Sequence, residues 1–186
     1  MSERETLIET LARHRGFLLQ TAEGLSEEQA RTRSTVSQLT IAGLLKHVAD
    51  TEQQWFAFAV QGASAFGGGG VYGSGVDWES LAAETAADQG DDPAQAAWQD
   101  DRFTVGAAET LTALRDRLAE VATRTEQILR EADLDGAHPL PEAPWFEPGV
   151  SWSVRRVALH MLAEISQHAG HADIIREAID GQRTMG

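Results

Sequence analysis

Apolar residues recur at three- and four-residue steps in four long stretches of the chain, which is the period of an amphipathic helix. The pattern predicts helices over residues 5–22, from 37 or 40 to 61, over 107–132, and from 151 or 153 to 181. Gly24, Gly62 and Gly181 stand where three of these helices are expected to end, since glycine is common just past a helix C-terminus. Ser26 to Gln29 has the form of a capping box and predicts one further short helical turn.

Two long connections interrupt the helical pattern. Between Gly62 and about residue 104 the period is lost, apart from a possible short helix over residues 78–87. The glycine run 67–70 lacks the lysine and the Ser/Thr of a phosphate-binding loop, so a loop that shapes the entrance to a site is favoured. Residues 135–149 contain four of the five prolines and predict an ordered, non-helical crossover in which His138 is exposed.

Four long helices without a convincing strand predict an all-α four-helix bundle, formed by one domain over residues 1–186. The net charge of -14 should repel nucleic acids and anionic membranes. The chain has no cysteine, no apolar run of membrane-spanning length, and too many charges near Met1 for a signal peptide. We therefore expect a cytoplasmic protein that binds neither nucleic acid nor membrane.

The fourth predicted helix carries metal-ligand side chains on or beside its apolar face. His160, Glu164 and His168 are four residues apart, so each lies about 40° round the helix from the one before. His168 falls inside the apolar arc and Glu164 borders it, whereas His160 and His171 lie towards the rim. An ionised carboxylate beside an imidazole is costly to bury without compensation, and a divalent metal is one compensator.

Three polar residues interrupt the apolar faces of the first two helices. His14 is typical of a packed, hydrogen-bonded core histidine. Taken alone, His47 reads as a solvated residue at the margin of its helix face, and Glu52 as a carboxylate paired with an arginine or a histidine. Facing helices of a bundle also build metal sites, however, and His47 can approach Glu164 and His168 from the opposite wall. Two imidazoles and one carboxylate suit zinc, iron(II), nickel or manganese, and leave a position open for water or substrate.

The stretches 44–56 and 155–181, and to a lesser degree most of the chain, resemble the DinB-like superfamily and more narrowly its actinobacterial DUF664 branch. The resemblance implies an up-down-down-up bundle, a homodimer, and one divalent metal held by three side chains. Many members use three histidines, but mycothiol-dependent maleylpyruvate isomerase and related thiol transferases have a His, Glu, His variant. Carried over by position, the ligands are His47, Glu164 and His168, with His160 and His171 beside them or at the entrance.

The leading hypothesis for function is a metal-dependent S-transferase that joins a low-molecular-weight thiol, such as mycothiol, to an electrophile, with zinc as the expected metal. Glu52 or His171 would accept the proton of the thiol. Isomerisation is not expected, because the isomerase has an additional C-terminal domain. The alternatives are a metal-dependent hydrolase, a metal-free bundle, and a non-catalytic metal-binding or stress-response module that dimerises, with Trp145 and Phe146 at a partner interface.

Overall fold

The computed structural model describes residues 1–66, 101–141 and 146–184. Its helices are α1 (Glu3–Thr21), α2 (Glu27–Ala30), α3 (Ile41–Gln61), α4 (Leu111–Glu131) and α5 (Val154–Asp180), with 3-10 helices at Gly62–Phe66 and Asp101–Phe103. The predicted all-α class is confirmed. The glycine run 67–70, the possible helix 78–87 and Trp145 lie outside the described residues.

Side-chain caps fix where the long helices begin. The hydroxyls of Thr40, Thr110 and Ser153 each accept a hydrogen bond from the backbone N–H three residues further on. Of the two predicted starts of the second long helix, 37 and 40, the structure has residue 40 as the N-cap, and of those of the fourth, 151 and 153, it has residue 153. The third long helix begins at Leu111 and not at residue 107. The predicted capping box at Ser26 is present.

A two-stranded antiparallel sheet, which the sequence pattern did not predict, precedes α5. It pairs β1 (Ala137–Pro139) with β2 (Ser151–Ser153). Three-residue strands are too short to show the two-residue alternation of apolar and polar side chains that predicts a strand. The proline in β1 also argues against a strand. The expectation that His138 is exposed was wrong: it is half-buried in β1, with its ring centroid 6.1 Å from that of Phe58.

Contacts at both ends show that α1 and α5 run parallel. At their N-terminal ends, Arg155 of α5 forms an ion pair with Glu3 of α1. At their C-terminal ends, Arg176 of α5 donates a 2.8 Å hydrogen bond to the carbonyl oxygen of Thr21. These two helices are also packed against each other along their length.

The remaining two long helices run in the opposite direction. Ring contacts place His47 against His168 and Trp55 against His160, so the start of α3 faces the later part of α5. The first turn of α1 hydrogen-bonds to the carbonyl of Leu129, near the end of α4. The course is therefore up, down, down, up, as the resemblance implied.

The core lies between α3 and its neighbours α4 and α5, and between α1 and α5. Its largest fully buried side chains are Trp55, Phe56, Phe58, Phe66, Leu11, Leu18, Ile41, Leu44, Leu45, Leu118, Leu129 and Met161. The polar residues that α3 and α5 direct into this apolar core are the exceptions that need an explanation.

Within the described ranges, no helix combines the length and the apolar character that crossing a membrane requires.

The ion pairs of Arg155 predict a pH-dependent contribution to stability. Hydrogen bonds from Arg155 lower the pKa of Glu3 and of Asp135 below their ordinary values. A carboxyl group with a depressed folded-state pKa stabilises the fold above its unfolded-state pKa, and this contribution is lost as the pH falls through the folded-state pKa. We expect Arg155→Met to lower the melting temperature by about 2–3 °C or less at pH 7, because the groups are exposed, and to have a smaller effect near pH 3.

Thermal unfolding of wild type and Arg155→Met at pH 7, 5 and 3 measures this effect. In a Glu3→Gln/Asp135→Asn background the same replacement should lose its pH dependence. An equal drop in melting temperature at pH 7 and pH 3 would show that Arg155 acts through packing and not through these carboxylates.

Candidate metal centre

The structure brings His47, Glu164 and His168 into one cluster. A ligand atom from each residue lies within 4.8 Å of those from the other two. Nε2 of His168 is 3.5 Å from Oε2 of Glu164, and the rings of His47 and His168 have centroids 4.8 Å apart. Ligand atoms around a tetrahedral zinc are about 3.4 Å apart. The Glu164 and His168 atoms already have this separation, and small side-chain movements would bring in His47.

Helix geometry explains why these residues meet. Glu164 and His168 are one turn apart on α5, so their side chains lie on the same face. His47 is in the second turn of α3, which runs antiparallel to α5 and faces it. The two histidines are buried, at 7% and 8% exposure, and Glu164 is half-buried. The reading of His47 as a solvated residue was wrong, because the ring of Phe103 covers it at a centroid distance of 4.2 Å.

Glu164 is held in its anionic form. Its hydrogen bond with His168 lowers the pKa of the carboxyl group below its ordinary value, and the nearby His160 and His47 act in the same direction, against the effect of burial. Burial lowers the pKa of His160, against the effect of Glu164. An anionic carboxylate is the form in which Glu164 could bind a metal.

Two unpartnered ring nitrogens lie at the cluster or beside it. Within the described ranges, Nδ1 of His168 and Nδ1 of His171 are buried and have no hydrogen-bond partner. Their rings lie 5.6 Å apart, which places His171 beside the cluster. A buried polar atom without a partner carries a desolvation penalty, which a ligand or a cation can relieve. The donor set of two imidazoles and one carboxylate fits a divalent metal.

The other two candidate residues on these helices have structural partners. Glu52 is fully buried and accepts a 3.0 Å hydrogen bond from Nε of Arg15, as the paired-carboxylate reading predicted. Its other oxygen is buried without a hydrogen bond among the described residues, so its role as a proton acceptor stays a prediction. His160 lies one turn before Glu164, with its ring 4.7 Å from Trp55 and 5.0 Å from Trp152.

His14 is a hydrogen-bonded histidine outside the cluster. Its Nδ1 lies 2.9 Å from the hydroxyl of Ser166 on α5, and its ring meets Phe17 edge-on at 5.6 Å. The structure therefore matches the reading of His14 as a packed residue.

A separate groove of about 670 Å³ runs between α3 and α4. The residues that line it include Phe56, Arg117 and Val121 but none of the cluster.

Sequence reasoning missed two residues at the site. The hydroxyl of Thr51 is 3.5 Å from Nε2 of His47, and their four-residue spacing on a helix is a signal that could have revealed it. Phe103 packs against both His47 and His168. No local pattern points to Phe103, because it follows the long stretch in which the helical period is lost.

Comparison with known proteins places this chain in a family. No curated protein matches the chain significantly. A solved structure, described as the conserved protein of a locus from Enterococcus faecalis, is similar with a TM-score of 0.63 and 17% identity, covering 98% of this chain and 99% of that chain. At that identity the likeness shows the fold alone. The model of the mycothiol-S-transferase family matches residues 6–181. The chain therefore belongs to the mycothiol-S-transferase family.

Proposed function

We propose that the protein is a metal-dependent S-transferase that conjugates mycothiol with a small electrophile, with zinc as its resident metal. The observation that carries the proposal is the convergence of His47, Glu164 and His168, whose ligand atoms lie within 4.8 Å of one another. Membership of the mycothiol-S-transferase family supports the thiol substrate. Three protein ligands leave one position open, which is typical of catalytic and not of structural zinc sites.

Each residue of the cluster has a role that follows from its surroundings. A divalent cation held by these three residues would supply Lewis acidity, which would lower the pKa of a bound thiol. His47 and His168 would contribute imidazole nitrogens, and Glu164 would contribute a negative charge that partly offsets that of the cation. Phe103 covers one side of His47 and excludes water from it. The low exposure of both histidines strengthens these electrostatic interactions.

His171 is the better placed of the two proposed proton acceptors. Its buried Nδ1 has no partner in the described part of the chain and its ring adjoins His168. We propose that Nδ1 takes the proton as the S–H bond breaks, and that the sulfur electron pair then forms a bond to carbon of the electrophile while the leaving group departs with its own pair. Glu52 is the alternative acceptor, although Arg15 occupies one of its oxygens.

A direct test uses protein purified without nickel affinity chromatography. Elemental analysis should find about one divalent metal per chain, and the metal-loaded protein should join mycothiol to monobromobimane at least about tenfold faster than the uncatalysed reaction. Chelation should remove this acceleration and added zinc should restore it. Stoichiometric metal without acceleration of the conjugation would contradict the transferase. Accelerated hydrolysis of an ester, without conjugation of mycothiol, would favour the hydrolase.

Replacing Glu164 by glutamine is expected to weaken metal binding by at least about 10–100-fold, the loss typical of disturbing even the groups that support metal ligands. Glutamine keeps the size of the side chain but removes the charge that His168 holds in place. Competition with a chromophoric chelator measures the affinity. Glu177→Gln, at an exposed position of the same helix, is the matched control. Equal affinities of the Glu164→Gln variant and wild type would exclude Glu164 as a ligand.

A further inference from the structure

We propose that Phe103 is a positioning residue for the metal centre, and that Gly43 is the residue that allows Phe103 to reach it. The inference rests on the metal-binding part of the proposed function and is independent of the transfer chemistry. Phe103 comes from the 3-10 helix Asp101–Phe103 and Gly43 from the first turn of α3. Neither residue is a candidate ligand.

Phe103 contacts both histidines of the cluster. Its ring centroid is 4.2 Å from that of His47, with the planes inclined at 32°, and 5.8 Å from that of His168, at 62°. Both distances are close to or within the range in which aromatic rings attract each other. Because the histidines come from different helices, one phenyl ring restricts the rotamers of two ligands that must point to a common centre. Ligands that are already restricted lose less conformational entropy when a cation binds.

Gly43 is required for the backbone of Phe103 to come this close. A Cβ built on Gly43 would lie 2.4 Å from the carbonyl oxygen of Phe103 and 3.3 Å from its carbonyl carbon. These are backbone atoms, which cannot move aside as the end of a flexible side chain can. Glycine is unfavourable inside a helix, so its presence at this position calls for a packing reason. Gly43 is also one turn before His47, so the close approach and the ligand lie on the same face of α3.

The segment that follows Phe103 is fixed to α2 by charged hydrogen bonds. The guanidinium of Arg31 donates to the carbonyl oxygens of Val105, at 3.1 Å, and of Gly106, at 3.0 Å. The carboxylate of Glu27 accepts a 2.7 Å hydrogen bond from the backbone N–H of Leu111. Charge-assisted hydrogen bonds of this kind are stronger than neutral ones. The position of Phe103 is therefore set by the fold, before any metal binds.

The test compares metal affinity and the electronic spectrum of the cobalt(II)-substituted protein among variants. We expect Gly43→Ala and Phe103→Ala each to weaken zinc binding by about 10–100-fold and to change the d–d bands, which report ligand geometry. Phe103→Leu, which keeps most of the apolar volume, should show a smaller change. The Gly43→Ala/Phe103→Ala double variant should bind zinc no more weakly than Phe103→Ala, because both changes act through the same ring.

Two matched controls make the same substitutions elsewhere. Phe17→Ala removes a half-buried ring that packs on His14, outside the cluster. Gly16→Ala adds a methyl group to a helical glycine where a Cβ meets nothing within 4 Å. Both variants should keep the wild-type zinc affinity within about twofold. Far-ultraviolet circular dichroism of the metal-free proteins identifies any variant that fails to fold. If Phe103→Ala does not fold, Phe103→Leu takes its place in the comparison.

The outcomes separate this inference from the proposed function. If wild type binds zinc but the Phe103 and Gly43 variants bind it equally well with unchanged cobalt spectra, the positioning role is overturned and the metal site stands. If wild type binds zinc and the variants lose affinity, but metal-loaded wild type transfers no thiol, the positioning role stands and the transferase falls. If wild type binds no metal, both fall.

Discussion

His168→Ala is expected to abolish stoichiometric metal binding and to reduce thiol transfer to the uncatalysed rate. His168 is the centre of the cluster, since it hydrogen-bonds Glu164 and its ring contacts those of His47, Phe103 and His171. Its removal leaves two ligands on different helices, too few to hold a divalent cation in competition with water. We expect a loss of at least about 100-fold in metal affinity, beyond the effect of disturbing a supporting group.

Elemental analysis and chelator competition measure the first part of this result, and the mycothiol and monobromobimane assay measures the second. His14→Ala is the matched control, because it removes a histidine that contacts α5 through Ser166 but lies outside the cluster. The control should retain metal and activity. Wild-type metal content in His168→Ala, or an equal loss in His14→Ala, would show that the cluster is not the metal site.

Local pattern was sufficient to predict the four long helices and their approximate ends. The period of apolar residues and the capping side chains are both properties of neighbouring residues in the chain, so a sequence displays them directly. The two short strands escaped prediction because their pairing joins segments that are distant in the sequence. The direction of each helix was implied only by the family resemblance, and the contacts between helix ends now account for it.

The candidate site was predictable to the extent that it depends on helix spacing. Glu164 and His168 share a face of one helix, and this relation can be read from their numbers alone. His47 was ambiguous on its own helix and became a candidate only when a third ligand was needed. Phe103 could not be found, since its contact with His47 depends on the path of a chain segment with no pattern. The partner of Glu52 was predicted by type, but only the structure identifies it as Arg15.

Breaking the Arg15–Glu52 ion pair is expected to destabilise the fold more than any other single polar substitution proposed above. Nε of Arg15 is 3.0 Å from Oε2 of Glu52, and the side chains are 9% and 0% exposed. The pair joins α1 to α3 inside the bundle. Removal of one partner leaves a charge buried without compensation, which costs about 3–5 kcal/mol. For a protein of this size the melting temperature should fall by roughly 6–20 °C.

A double-mutant cycle with Arg15→Met, Glu52→Gln and the combined variant tests this, with unfolding followed in urea. The combined variant buries no charge at this position, so its loss of stability should be smaller than the sum of the single losses by about 1–3 kcal/mol. Arg130→Met is the control, because Arg130 pairs with Glu126 at the surface and such a pair contributes about 0.3–0.5 kcal/mol. Additive single losses would show that the two charges do not stabilise each other.

The folded combined variant also tests the role of Glu52 in metal-dependent thiol transfer. Retained activity would leave His171 as the proton acceptor. Lost activity with wild-type metal content would identify Glu52 as the acceptor.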